Sequence, residues 1–114
     1  MSEKRELKRL ALNTLEKIHI AEIDNIVRCE SSVNYTMFHF FEGKKLLVTK
    51  TLKEFDQLLS ESGFIRVHQS HLVNVAYLKE YVKTDGGYLV TKDGAEIPVS
   101  TRKKQMVLEA IEKL

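Results

Sequence analysis

One cysteine, one proline and five glycines are all that 114 residues hold of the types that most often staple or interrupt a chain. With Cys29 alone, no internal disulfide can form, and every zinc motif built on paired cysteines is excluded. A single thiol without a framework fits a reducing compartment. Long apolar runs are missing too: none approaches the roughly 18–20 residues that a membrane helix needs. The opening MSEKRELKRLAL is charged and lacks the apolar core of a secretory signal. The expectation is therefore a cytoplasmic domain with no membrane contact. Net charge gives no global signal either: 18 Lys+Arg against 16 Asp+Glu leave +2, so electrostatics must act through local clusters. What is present is a composition 43% hydrophobic and 30% charged, which favours a packed globule over disorder. The length suits one domain.

The chain divides by texture. Residues 3–12, EKRELKRLAL, are strong helix formers with a thin stripe of Leu7, Leu10 and Ala11. They are read as a linker helix, occupying 1–12, before a domain over 13–114. LEKIHI, DNIVRCE, YTMFHFF and KKLLVTK are short runs rich in β-branched and aromatic residues, broken by turn formers, and read as half-buried strands. Thr51-Leu-Lys-Glu54 is a capping box. It opens a short helix over 52–61 with Leu52, Phe55, Leu58 and Leu59 on one face, and Gly63 at its end. YLKEYVKT, GYLVTK and AEIPV follow as strands joined at Asp85-Gly86-Gly87 and Asp93-Gly94, which supply positive φ. Pro98 fits an edge strand. Ser100 or Thr101 caps a last helix whose buried face is Met106, Val107, Ala110, Ile111 and Leu114. The fold class is mostly β, a sheet or sandwich with a short central helix and short terminal helices.

FIRVHQSHLVN, residues 64–74, sets Arg66, His68, Gln69, Ser70, His71 and Asn74 among core-forming positions. Three chemistries compete for it. For a metal, His68 and His71 lie three apart, but the stretch looks extended, where odd spacing sends side chains to opposite faces. No acidic residue lies nearby as a ligand or second shell. For catalysis, Cys29 sits in a strand, where a free cysteine is usually a small buried hydrophobe. No G-x-S-x-G, phosphate-binding glycine loop or H-E-x-x-H occurs. Neither a cofactor nor an enzyme is expected.

Nucleic acid remains. Arg, Asn, Gln, Ser, Thr, His and Lys reach base edges and phosphates. They cluster at Ser31–Thr36, at Arg66–His71 and at Ser100–Lys104. Arg102, Lys103 and Lys104 fall in a first helical turn, where the dipole disfavours cations by a few tenths to about 1 kcal/mol each. Free N–H groups with three cations there suit a phosphate. Against each cluster stands an ordinary solvated loop or charge run. A protein-interaction module without DNA affinity, recruiting its partner through the Pro98 edge or the N-terminal helix, is the rival reading.

FIRVHQSHLVNVAYL resembles the signature segment of LytTR-type DNA-binding domains, the output modules of many bacterial response regulators. The "F-x-R-x-H-x-S-x-x-V-N" pattern is filled by Phe64, Arg66, His68, Ser70, Val73 and Asn74. DNIVRCESSVNYT is similar to that family's "D-I-x-x-x-E-…-N-Y" through Asp24, Ile26, Glu30, Asn34 and Tyr35. DGAEIPVSTRKK is similar to its "G-x-x-x-P-V-S" end through Gly94, Pro98, Val99 and Ser100. The match spans about residues 13–112. The resemblance implies an elongated, mostly β fold that contacts successive major grooves of double-stranded DNA through loops. It implies an upstream receiver domain in a longer regulator. Binding as a homodimer on repeated half-sites is expected because one small module reads few bases. Base-reading positions would be Tyr35 and Thr36, with Asn34 beside them, then His68 and Gln69, then Thr101 or Arg102. Arg66, Ser70, Ser100, Lys103 and Lys104 would be phosphate clamps or loop supports, and Asn74 a backbone fixer. Gln69 and Thr101 stand where the family often carries a basic residue.

Overall fold

The computed structural model describes residues 7–114, and within them ten short strands pair antiparallel into three sheets. The sequence dictates this arrangement: β-branched and aromatic runs interrupted every few residues favour short strands joined by tight turns. β1 (Arg9–Asn13) and β2 (Ile18–Glu22) form a ribbon. The central sheet holds β3 (Ile26–Ser32), β4 (Tyr35–Phe40), β5 (Lys45–Val48), β6 (Phe64–His68) and β7 (His71–Asn74), in the order β5-β4-β3-β7-β6. β8 (Leu78–Val82), β9 (Tyr88–Thr91) and β10 (Glu96–Pro98) form a third sheet with β10, and so Pro98, at its edge. Helix α1 (Leu52–Leu59) joins β5 to β6, and α2 (Lys104–Glu112) follows a 3-10 turn at Thr101–Lys103. The mostly β architecture is the one expected.

The central sheet is buried on one face and partly covered on the other. Cys29, Phe38, Phe40, Phe64 and Leu72 point to a core closed by α1 and by Leu12 and Ala21 of the ribbon. The α1 start has the expected capping geometry, with the Thr51 N–H and hydroxyl both donating to the Glu54 carboxylate (3.0 and 3.2 Å). Phe55 then meets Phe38 edge-to-face at 4.7 Å, a favoured aromatic geometry. On the other face Val67 and Val73 join Leu89, Ile97, Val99 and Val107 in a second core under the third sheet and α2.

The remainder of that second face, over β3 and β4, is polar. Arg28 donates to Asp93 of the β9–β10 turn (3.0 Å) and to Nδ1 of His39 (3.3 Å), while His39 Nε2 meets Glu30 at 2.8 Å. A guanidinium can only donate, so His39 Nδ1 accepts and its proton sits on Nε2, pointing at Glu30. The Arg28 side chain is 12% exposed while its acidic partners keep more contact with water, and the Asp93 bond ties the third sheet to the central one. Burial holds the His39 imidazole below its ordinary pKa, although the Glu30 bond opposes this. Burial alone would raise Glu30 and Asp93. The His39 and Arg28 contacts of Glu30, and the Thr91 hydroxyl and Arg28 at Asp93, outweigh it, and both carboxyls lie below the usual range.

Four expectations are corrected. The helix read over 3–12 falls partly outside the described residues. Where described, Arg9–Asn13 is a strand paired along its length with β2, because tertiary pairing overrides helix propensity. FIRVHQSHLVN is two strands, not one. His68 and His71 face each other across a hairpin, with rings 5.5 Å apart, instead of pointing to opposite faces. Met106 and Leu114 are exposed at 40% and 75%, leaving Val107 as the buried anchor of α2. Leu58 likewise leaves the α1 core face, at 42% exposed.

Two outcomes follow for stability. Arg28→Met should destabilise the fold by about 1–3 kcal/mol, the range for leaving partly buried polar partners unpaired, read from urea midpoints. Protons that bind the unfolded chain better than the folded one destabilise as pH falls. The His39 contribution is present above about pH 6.5 and lost as pH falls through its lowered folded value, and Glu30 and Asp93 add a further loss below about pH 4. The urea midpoint should therefore be lower at pH 5.5 than at pH 7.5, and His39→Gln should shrink the difference.

Candidate nucleic-acid interface

Antiparallel order decides which loops meet. The end of β3, the start of β4, the end of β5, the end of β6 and the start of β7 all lie at one end of the central sheet. The β3–β4 turn, the β5–α1 connection and the β6–β7 turn are thus neighbours. Main-chain bonds fix the spacing: Ser31 N–H donates to the Ser70 carbonyl (3.0 Å), and Ser100 N–H donates to the Val67 carbonyl (2.9 Å). The three polar clusters of the sequence, far apart along the chain, form one edge. An open cleft lined by Asp24, Gly63, Asn74, Tyr77 and Lys92 lies at the opposite end of the sheet.

The β6–β7 hairpin is braced from inside. Arg66 Nε donates to the His68 carbonyl (3.0 Å), Arg66 Nη2 to the Gln69 carbonyl, and Nη1 to Asp56 of α1 (3.4 Å). Its fork is thereby committed to the turn, which makes Arg66 a loop support; the phosphate-clamp alternative is set aside. His68 Nδ1 accepts the Ser70 N–H at 3.1 Å, which places the neutral ring's proton on Nε2. Gln69, at the tip, is exposed. His71 stands opposite Glu30 in the ladder. Burial lowers its pKa, against an opposing pull from Glu30, and its Nδ1 is buried without a partner. Asn74 fixes backbone as expected, donating to the Ile26 carbonyl (2.9 Å) and accepting from Ala76 N–H (3.1 Å).

In the first loop Asn34 is exposed and Tyr35 half-buried. Thr36 corrects the sequence reading: it is fully buried and its hydroxyl donates to the Lys50 carbonyl at 2.8 Å. It joins β4 to the β5–α1 connection and presents nothing outward. That same bond brings exposed Lys50 to the edge, a cation the clusters did not include because its sequence neighbours are strand and cap. The third segment differs from the expected helix start: Arg102 and Lys103 lie in a 3-10 turn, Lys103 precedes α2, and only Lys104 belongs to its first turn. Ser100 opens the 3-10 turn and its hydroxyl makes no cap bond. Thr101 and Arg102 are exposed, Lys103 and Lys104 partly so, and no acid sits in the first turn of α2.

The other chemistries find little support. Among the described residues no three His, Cys, Asp or Glu side chains are grouped to hold a metal ion. Cys29 is fully buried, and burial pushes its thiol well above its ordinary pKa, outweighing the nearby Arg28 charge, the opposite of the exposed, low-pKa setting of a reactive cysteine. No helix among the described residues is long and apolar enough to cross a membrane.

Known proteins point the same way. The model of the LytTr DNA-binding domain matches residues 16–112. Sensory transduction protein LytT of Bacillus subtilis is 35% identical over 94 residues, covering 81% of this chain and 39% of that protein. The heme-containing CO-sensing transcriptional regulator RcoM 2 of Paraburkholderia xenovorans is 26% identical over 110 residues, 94% of this chain and 41% of that protein. Transcriptional regulatory protein BtsR of Salmonella typhimurium is 29% identical over 97 residues, 83% of this chain and 39% of that protein. The chain thus spans about two fifths of the length of these relatives. Among solved structures, the LytTr DNA-binding domain of a response regulator from Bacillus cereus superposes with a TM-score of 0.77, covering 92% of this chain and 97% of that one. At 23% identity that match speaks for the fold.

If Arg66 acts as a brace, charge alone will not replace it. Arg66→Lys keeps the charge and loses the planar fork, so the Ser70 amide should exchange with deuterium faster in Lys and Ala variants alike. Wild-type protection in the Lys variant would show that the fork does not hold the turn.

Proposed function

The chain belongs to the LytTr DNA-binding domain family, and on that premise we propose that it binds double-stranded DNA sequence-specifically, as the output domain of a bacterial transcriptional regulator. The observation that carries the reading is the convergence of the three polar clusters on one edge, through the Ser31–Ser70 and Val67–Ser100 main-chain bonds. The edge is built from loops. Among the described residues α2 meets the edge only through its start at Lys104, so the loops themselves are proposed to enter the major groove.

The proposed division of roles follows from exposure. Asn34, Tyr35, His68, Gln69, Thr101 and Arg102 face bases. His68 offers Nε2–H, a donor for guanine N7 or O6, and Arg102 offers a fork for the same edge. Lys50, Lys103, Lys104, Ser70 and Ser100 take phosphates, which position without reading. The molecule measures 41 × 40 × 25 Å, and successive major grooves on one side of a duplex lie about 34 Å apart, so one module has the width to address two. Few bases are read in each, which favours a homodimer on repeated half-sites. The regulators named above support a longer parent chain with a receiver domain upstream, working in the cytoplasm where the DNA is.

The test is binding to random-sequence duplexes at two salt concentrations, followed by selection. Affinity should fall steeply with salt, and the recovered pool should converge on a repeated motif whose spacing gives the dimer arrangement. A pool that stays random would leave only a phosphate-binding face, and no binding at low salt would turn the edge over to a protein partner. Within the selected site, Lys104→Ala should weaken all sequences alike and lower the salt slope by about 1. Arg102→Ala should cost about 1–3 kcal/mol and relax one base position.

A further inference from the structure

The β3–β4 hairpin turns on two residues, Val33 and Asn34, between the last ladder pair Ser32 and Tyr35. Val33 has φ 58° and is 95% exposed. Apart from Asp85, every other described residue with positive φ is a glycine, the residue that adopts this conformation freely. A β-branched residue there is a steric outlier. Two-residue hairpin turns select Gly, Asn or Asp at such positions. An exposed apolar side chain alone needs no explanation. One held in a conformation its own branching opposes does, because neither packing nor turn chemistry gains from it. Strain of this kind collects where a side chain must be presented.

The presentation has a direction. The turn stands at the same end of the central sheet as Gln69 and Ser70, adjoining them through the Ser31–Ser70 bond. With Asn34 beside it, Val33 offers two methyl groups at the tip of the edge. In the major groove, the one apolar group that distinguishes a base pair is the thymine C5-methyl. We infer that Val33 is a specificity-determining residue that packs against a thymine methyl at a position the β3–β4 turn addresses. This rests on the DNA-binding reading above and adds a base contact that hydrogen-bonding side chains cannot supply.

The experiment uses the duplex recovered by selection, the same duplex with each thymine replaced in turn by deoxyuridine, and the variants Val33→Gly and Val33→Asn. Both replacements suit positive φ, so their thermal midpoints should equal or exceed that of wild type. At one thymine position, deoxyuridine should weaken wild-type binding about fourfold, the effect of one buried methyl. Both variants should bind the thymine duplex at least about fourfold more weakly than wild type, and should not distinguish deoxyuridine from thymine there. Wild-type affinity in both variants, or deoxyuridine effects identical in all three proteins, overturns the inference and leaves DNA reading intact. A wild-type protein that selects no motif removes both.

Discussion

The Arg28 guanidinium is the point on which the rest of the structure depends. It lies on a polar stretch of a sheet whose inner faces are mostly apolar, and it reaches Asp93 across 65 residues of sequence. Without that bond the third sheet would be held over β6 and β7 by its apolar contacts and the Ser100–Val67 main-chain bond, and the β9–β10 turn would cover unpaired charge. The consequence reaches the edge. Ser100 follows β10 after one residue, Val99, so the sheet that Asp93 anchors also sets where Ser100–Lys104 lies against β6. Glu30, at the other end of the network, stands opposite His71, so the polar network adjoins the base of the β6–β7 hairpin as well. The cost of desolvating these charges is offset because each group is satisfied on more than one side: Asp93 by Thr91 and Arg28, Glu30 by His39 and Arg28. Removing one partner is therefore far worse than never having built the pair.

A second constraint is how loops acquire the definition that a recognition helix has by construction. Here it comes from side chains that turn inward. Arg66 holds two carbonyls of its own hairpin, His68 accepts the Ser70 amide, and Thr36 ties β4 to the start of α1. Two of these three, His68 and Thr36, were expected on the reading side from the resemblance to the LytTR pattern. Arg, His and Thr serve equally well as contacts and as braces, and only the fold shows which role each takes.

That ambiguity marks how far the sequence could be read. Helix α1 was legible because two signals agree locally, a capping box and an apolar stripe ending before Gly63. The Asp-Gly turns were legible because positive φ has few takers. The first strand was not: EKRELKRLAL carries helix propensity throughout, and what makes it a strand is pairing with Ile18–Glu22, a contact that no local pattern announces. The turn inside FIRVHQSHLVN was missed because Gln69-Ser70 carries no glycine, proline or Asx signal, so two strands looked like one. The Arg28–Glu30–His39–Asp93 network left a faint trace, two charges at strand spacing in β3. Its partners lie on β4 and beyond β9, where sequence spacing says nothing. The site clusters were legible as clusters, through residue type and through the LytTR-like patterns. Their convergence was not, because it follows from strand order.

The separation of braces from presented residues has a consequence for how such a domain can change what it binds. Arg28, Arg66, Thr36 and Asn74 are each held by bonds to backbone or buried charge, so substitution there disturbs the scaffold before it alters any contact. Asn34, Gln69, Thr101 and Arg102 are exposed, and no stabilising contact of the fold runs through their side chains. Changes at these four should move within the few tenths of a kcal/mol typical of surface sites, leaving the edge in place. A module built this way can change its exposed edge without first regaining stability elsewhere. Gln69 and Thr101, the two positions where this chain differs from the pattern it resembles, both fall in that set. Both departures therefore lie on the exposed edge, away from the contacts that hold the fold.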